Sequence, residues 1–263
     1  MTAGTGALAG VGVLVTRPIA QAAGLCELIE AAGGVAYRFP VLEICPPRDP
    51  EALRGVVDQL DSYDCAIFVS ANAVQRALDV LLERHPWPRS VRIAVIGRRS
   101  AQELERYGLS ADLCPEARFD SEGLLALPDL QTVNGQHFVI FRGDGGREYL
   151  AETLRQRGAS VDYVEAYSRA RPDSDTASVL RQWRSGAIDV VVVNSAESLR
   201  NLWDMLGEAE QRLLQQTPVL VVSERMLPLM KPLGLTAPAL LAANATDEAV
   251  VKALLDWQAS RLK

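Results

Sequence analysis

The chain is poor in the side chains that most enzymes lean on. It has only two histidines, His85 and His137, and four cysteines, Cys26, Cys45, Cys65 and Cys114, none in a C-x-x-C pair. With so few imidazoles and no thiol cluster, neither a zinc nor an iron site is expected. Cys65 sits inside an apolar strand-like run, so buried free thiols in a reducing cytoplasm are expected. Basic charge is also short: 27 Lys and Arg against 33 Asp and Glu give a net charge of −6. No basic field is available for nucleic acid or an anionic membrane, and neither is expected as a partner. An anionic small molecule stays open, because a few local arginines suffice for it. No apolar stretch approaches the roughly 20 residues that cross a bilayer. No basic segment precedes an apolar one at the N-terminus, so no signal peptide is read and a cytoplasmic location is expected. Gly143-Asp-Gly-Gly146 is rich in glycine but lacks the Walker lysine-serine pair and the G-x-G-x-x-G spacing. No Ser/His/Asp arrangement stands out, and no helix presents paired carboxylates of clear acid–base geometry.

What the chain does have is most of itself twice. Thr16-Arg17-Pro18 follows the apolar run Val11–Val15, and Phe141-Arg142-Gly143 follows His137–Ile140. The shift is 142 − 17 = 125, and it also carries Asp64 onto Asp189 and Ser70 onto Ser195. One more residue of shift carries Gly108 onto Gly234, and two carry Asp120 onto Asp247. At 263 residues and 48% hydrophobic the chain is long enough for two domains with a core each. Two similar lobes would make a cleft.

Short apolar runs alternate with amphipathic segments of helical period, which predicts α/β architecture with parallel sheets. Strands are expected at Val11–Val15, Val35–Phe39, Cys65–Val69, Val91–Ile96, His137–Phe141, Val161–Glu165, Asp189–Val193 and Val219–Val222. Helices are expected at Ala20–Ala32, Glu51–Leu60, Asn72–Leu82, Ser100–Tyr107, Ser121–Leu127, Glu148–Arg157, Ala177–Arg184, Ala196–Leu206, Glu224–Leu233 with an interruption near Pro228, and Asp247–Trp257. Pro40–Pro47 and Ser168–Pro172 read as linkers. Linker composition favours a chain that crosses between lobes twice. The repeat boundary alone favours a single cut near Val133-Asn134-Gly135.

The strand-to-helix turns end in small polar residues: Thr16-Arg17-Pro18, Ser70-Ala-Asn72, Gly97-Arg-Arg-Ser100, Arg142–Gly146, Asn194-Ser195 and Ser223-Glu-Arg225. In an open parallel sheet such turns lie at the carboxyl edge, where ligands bind and helix N-termini offer free N–H groups. The plainer account is that these serines and asparagines only cap helices. Arg17 and Arg142 are equivalent in the repeat and placed to hold carboxylates bidentately, with a surface ion pair as the alternative. Tyr167 lies in the second proposed crossing, inside Val164–Ser168, either facing a ligand or bracing the crossing.

Several segments, in order and spacing, resemble the uroporphyrinogen-III synthase family. They are Val13–Pro18 with Gly33-Gly34, Phe39-Pro40, Asp64–Val74, Ile93–Gly97, Phe141–Gly143, Gly158–Tyr167 and Asp189–Ser195. The resemblance implies two similar parallel-sheet α/β domains joined by a two-stranded β ladder from Phe39–Ile44 and Glu165–Arg169, with the active site in the inter-domain cleft. It divides the chain into 1–39 with 172–263, linker strands 40–45 and 165–171, and 46–164, so the copies exchange their first strand–helix units. It implies a cyclising hydro-lyase without cofactor. The reaction converts linear hydroxymethylbilane to uroporphyrinogen III with inversion of ring D and loss of water. Tyr167 matches the family's linker tyrosine and is the implied acid. Arg17, Ser70, Asn72, Ser100, Arg142, Gly143, Ser195 and Ser223 are the implied substrate-binding residues. A monomer is expected, receiving substrate from the preceding pathway enzyme. The family often has threonine where Val69 and Ser100 stand, and Arg98-Arg99 adds basic charge. The alternative is a two-lobed small-anion-binding or regulatory module without activity.

Overall fold

A computed structural model describes residues 6–173 and 176–261. The chain folds as two compact units, Met1–Glu43 with Ala170–Lys263 and Ile44–Arg169. No helix among the described residues is long and apolar enough to cross a membrane.

The first unit holds strands β1 (Gly12–Val15) and β2 (Val35–Arg38), with β8 (Val190–Val193), β9 (Val219–Val221) and β10 (Ala239–Leu241). They form one sheet in the order β10-β9-β8-β1-β2. Helices α1 (Ile19–Ala31) and α10 (Asp247–Arg261) pack on one face, and α7 (Ala177–Arg184), α8 (Ala196–Met205) and α9 (Glu208–Gln216) belong to the same unit. The central strands are buried at every residue, as expected of parallel strands covered on both faces. Val191 and Val193 enter one core cluster and Val190 and Val192 the other.

The second unit is built alike. Its strands are β3 (Glu43–Cys45), β4 (Cys65–Phe68), β5 (Arg92–Val95), β6 (His137–Gly143) and β7 (Ser160–Ala170), in the order β3-β7-β6-β4-β5. Helices α2 (Pro50–Asp58), α3 (Ala71–Leu82), α4 (Arg98–Arg106), α5 (Ser121–Leu125) and α6 (Tyr149–Gln156) complete it.

The repeat survives as strand register. Gly12 faces Val35 and His137 faces Ser160; 12 + 125 = 137 and 35 + 125 = 160. Val13 faces Val190 and Phe138 faces Cys65; 13 + 125 = 138 and 65 + 125 = 190. Ala66 faces Ile93 and Val191 faces Val219, where the last offset has grown to 126. A lone parallel bridge, Ala94 to Leu113, stands where Leu220 pairs with Leu240. In each sheet, the first two strands of one copy therefore pair with the later strands of the other.

The seam between copies is pinned in the same way in both sheets. Asp64 Oδ2 accepts the His137 N–H at 2.7 Å, and Asp189 Oδ2 accepts the Gly12 N–H at 2.9 Å. In return, the backbone N–H groups of Asp64 and Asp189 donate to the carbonyls of His137 and Gly12, both at 2.8 Å.

Several expectations shift. The expected strand Val161–Glu165 and much of the linker behind it are one strand of 11 residues, β7. Ala166 and Tyr167 are buried, so the apolar pattern runs past Glu165. Within Pro40–Pro47, Glu43–Cys45 forms β3 at a sheet edge, the one place in a sheet that tolerates neighbouring prolines. The expected helix Glu224–Leu233 is two 3₁₀ segments, Glu224–Leu229 and Lys231–Leu233, because Pro228 and Pro232 interrupt α-helical bonding. Helix α9 and strand β10 had no counterpart in the expected elements. Cys26 and Cys65 are buried, with burial pushing the Cys65 thiol up to about 12, while Cys45 and Cys114 are half-buried.

The carboxylate latches should be worth measurable stability. Asp189→Ala should cost about 1–2 kcal/mol in urea denaturation, and Asp64→Ala, at a more exposed latch, less. Amide exchange at Gly12 and His137 respectively should speed up in the matching variant.

Candidate functional site

In the second unit, the carboxyl ends of β4, β6 and β7 bring Ser70, Gly143 and Tyr167 together. Ser70 is the N-cap of α3 and accepts the Ala73 N–H at 3.1 Å. Its Oγ also lies 3.2 Å from the Tyr167 hydroxyl. Tyr167 is 2% exposed and belongs to the core beneath α2 and α3. A register shift places it there. Arg142 pairs with Glu165 but Gly143 pairs with Tyr167, so Ala166 is an extra residue in β7. Such a bulge re-aims the side chain beside it. The tyrosine ring then lies on Gly143, where an added Cβ would come within 2.6 Å of its Cε2 and Cζ. Glycine is required here for close approach rather than for turn geometry.

Two residues that the sequence reading did not select complete this cluster. Arg169 Nη2 donates to the Tyr167 hydroxyl at 3.2 Å, and its guanidinium carbon lies 5.4 Å from the ring centroid. Residues two apart on a strand share a face, so the spacing of Tyr167 and Arg169 was a usable signal. Asp144 fixes the backbone on both sides of that pair. Its N–H donates to the Tyr167 carbonyl at 3.1 Å and its Oδ1 accepts the Arg169 N–H at 3.0 Å. Its other oxygen accepts from Arg48 at 3.0 Å. The glycine-rich run that lacks a nucleotide signature thus serves as a clamp on β7.

Arg142 points to the other face of the same sheet. Its Nη1 donates to Glu148 at 2.8 Å and its guanidinium lies 4.4 Å from the Tyr163 ring centroid. The Arg142 bond holds the Glu148 carboxyl below its ordinary range, and burial pushes the Tyr163 phenol up. Arg142 and Tyr163 line a pocket of about 170 Å³ with Ser121, Gly145, Gly146 and Arg147. Val69 forms part of its apolar wall.

The remaining expected residues are placed as follows. Asn72 is the second residue of α3, and Ser100 is buried at the third position of α4, which Gly97 caps. In the first unit Ser195 caps α8, accepting the Ser198 N–H at 3.0 Å, as its repeat partner Ser70 does for α3. Ser223 caps the 3₁₀ segment through the Arg225 N–H at 3.4 Å. Arg17 departs from expectation. It is 5% exposed, ion-paired with Asp247 at the start of α10, and donates to the Ala245 carbonyl at 3.2 Å. The arginine is buried while Asp247 stays partly exposed, so the guanidinium is engaged in a half-buried ion pair within the first unit. Among the described residues no group of three or more His, Cys, Asp or Glu side chains is placed to hold a metal ion.

The uroporphyrinogen-III synthase HemD family model matches residues 24–252. A uroporphyrinogen-III synthase of Escherichia coli K12 is 34% identical over 244 residues, covering 92% of this chain and 99% of that one. Among solved structures, a uroporphyrinogen III synthase variant of Thermus thermophilus superposes with a TM-score of 0.64 at 15% identity, covering 95% of this chain and 99% of that chain. A uroporphyrinogen-III synthetase of Helicobacter pylori gives 0.60 at 13%, covering 94% and 99%. At these identities the two structures speak for the fold alone.

The fit of Tyr167 onto Gly143 is directly testable. Gly143→Ala should cost about 1–3 kcal/mol and alter the near-ultraviolet circular dichroism, since the ring must move. Gly55→Ala, inside α2 with nothing within 4 Å of the new Cβ, should instead stabilise by up to about 1 kcal/mol.

Proposed function

The chain belongs to the uroporphyrinogen-III synthase family, and from that premise we propose how its residues carry out the cyclisation of hydroxymethylbilane to uroporphyrinogen III. The reaction loses water and inverts ring D. The observation that carries the residue assignment is the Tyr167 hydroxyl, buried between Ser70 and the Arg169 guanidinium at one carboxyl edge.

The substrate's hydroxymethyl group leaves as water once its oxygen is protonated. The pyrrole nitrogen lone pair stabilises the cation left behind, so the protein need supply little more than one acid and a fixed geometry. General acid catalysis contributes about 10²–10⁴-fold. Holding the terminal ring so that its substituted carbon attacks can contribute as much as about 7–11 kcal/mol. Tyr167 is the proton source. No metal or organic cofactor takes part.

The substrate's carboxylates need donors. Arg142, with the small pocket around it, is the strongest candidate: its guanidinium is half-neutralised by an exposed glutamate that a carboxylate can displace. Backbone N–H groups at Ser70, Asn72 and Gly143 and the Ser100 hydroxyl supply further bonds. Arg17 is assigned to structure, because its charge is spent on Asp247. The protein acts as a cytoplasmic monomer that takes freshly made substrate from the preceding enzyme.

Incubation with freshly prepared hydroxymethylbilane should yield uroporphyrinogen III. A product consisting only of the uninverted isomer, as in spontaneous closure, would point instead to an anion-binding module without activity. Arg142→Ala should raise KM about tenfold, the loss of about 1.4 kcal/mol of binding, with little change in stability. Arg17→Ala should do the reverse, lowering stability by up to about 3 kcal/mol through the orphaned Asp247 while KM stays near the parent value.

A further inference from the structure

The hydrogen-bond inventory around Tyr167 leaves one proton unspent. A guanidinium only donates, so the phenol oxygen is an acceptor toward Arg169. Ser70 Oγ has two lone pairs and one proton, and one lone pair takes the Ala73 N–H. The serine and the tyrosine own two protons between them, and their mutual bond consumes one. The other stays on whichever hydroxyl did not donate. Tyr167 is 2% exposed, whereas Ser70 is half-buried. An unspent donor is costly where it is buried and cheap where it meets solvent or ligand. The tyrosine therefore donates to the serine, both serine lone pairs are filled, and the Ser70 O–H is the group left to meet a substrate. At 3.2 Å the two contacts on the phenol are loose, as catalytic bonds often are before substrate tightens them.

We propose that Ser70 hands the proton to the departing hydroxyl, that Tyr167 refills Ser70, and that Arg169 is the positioning residue that makes the relay run in that direction. The inference rests on the reading of Tyr167 as proton source. The Ser70 O–H bond breaks as its proton forms a bond to the hydroxymethyl oxygen. The carbon–oxygen bond breaks with its electron pair going to oxygen, and water leaves. The Tyr167 proton moves to Ser70 Oγ, and the resulting phenolate is held by the Arg169 guanidinium and needs no reorganisation there. When the closing pyrrole regains aromaticity it sheds a proton, which returns along the same path, so the cycle consumes no net acid.

The experiment measures kcat, KM and thermal stability of single and double variants with hydroxymethylbilane. Ser70→Asn keeps a good helix cap without a hydroxyl, and Ser70→Thr keeps both. Ser70→Asn and Tyr167→Phe should each lower kcat by about 10²–10⁴-fold with the fold intact, and the double variant should fall no further than the worse single one. Ser70→Thr should restore kcat to within about tenfold. Arg169→Gln should lower kcat about tenfold with KM unchanged. The relay is overturned if Ser70→Asn keeps kcat within about threefold while Tyr167→Phe does not, or if the two losses multiply. It is equally overturned if Arg169→Gln leaves kcat unchanged. A parent protein that makes no uroporphyrinogen III, or a Tyr167→Phe variant of normal rate, would defeat the underlying reading instead.

Discussion

Asp64 and Asp189 each accept the first N–H of a strand that belongs to the other half of the duplicated chain, and their own N–H groups donate back to the carbonyl of that same residue. This reciprocal pair sets the register between β4 and β6 and between β8 and β1. Side chains on a strand alternate with a period of two, so a slip of one residue would turn every buried valine of β8 toward the wrong core. The strands are apolar throughout, with no polar alternation of their own to choose a register. The carboxylates supply that choice at the amino edge, and the carboxyl edge inherits it.

At the carboxyl edge, the inherited register puts the end of β4 beside the end of β6. The bulge at Ala166 then advances β7 by one residue, so that Tyr167 rather than Ala166 meets Gly143. Without the latch the bulge would have nothing to be measured against, and without the glycine the ring would have no room. The Asp144 clamp holds the strand at this advanced position. A hydroxyl held by a capping serine and a guanidinium is the end of a chain of constraints that starts at the opposite edge of the sheet.

The architecture was legible in the sequence because parallel strands buried on both faces are written as short runs of Val, Ile, Leu and Ala, and because the same runs return 125 residues later. The parts that escaped are those whose physical signal is weak. Helix α9 is polar along most of its length and buries little beyond Glu210 and Leu214. Strand β10 is an exposed edge of three residues. The linkers looked like linkers because prolines flank them, yet an edge strand needs only one partner, and β3 has one in β7. At the site, Ser70 and Tyr167 were visible as residue types in suggestive places. Their contact was not, since it depends on a one-residue bulge that no composition announces.

Duplication explains the scaffold but not the cluster around the Tyr167 hydroxyl. The repeated positions do structural work in both copies: Asp64 and Asp189 latch strands, and Ser70 and Ser195 cap helices. The positions around the phenol are not repeated. Subtracting 125 from Tyr167, Arg169 and Gly143 leads to Leu42, Ile44 and Pro18, none of which can donate a side-chain proton or a side-chain hydrogen bond. Arg142 does have a counterpart, Arg17, but the two have parted. Asp247 holds Arg17, whereas its own counterpart Asp120 is bound by Arg118 and caps α5. Arg142, lacking that partner, turns to the rim of a pocket and an exposed glutamate. The departures from the repeat thus gather in the second unit, at Arg142, Gly143, Tyr167 and Arg169.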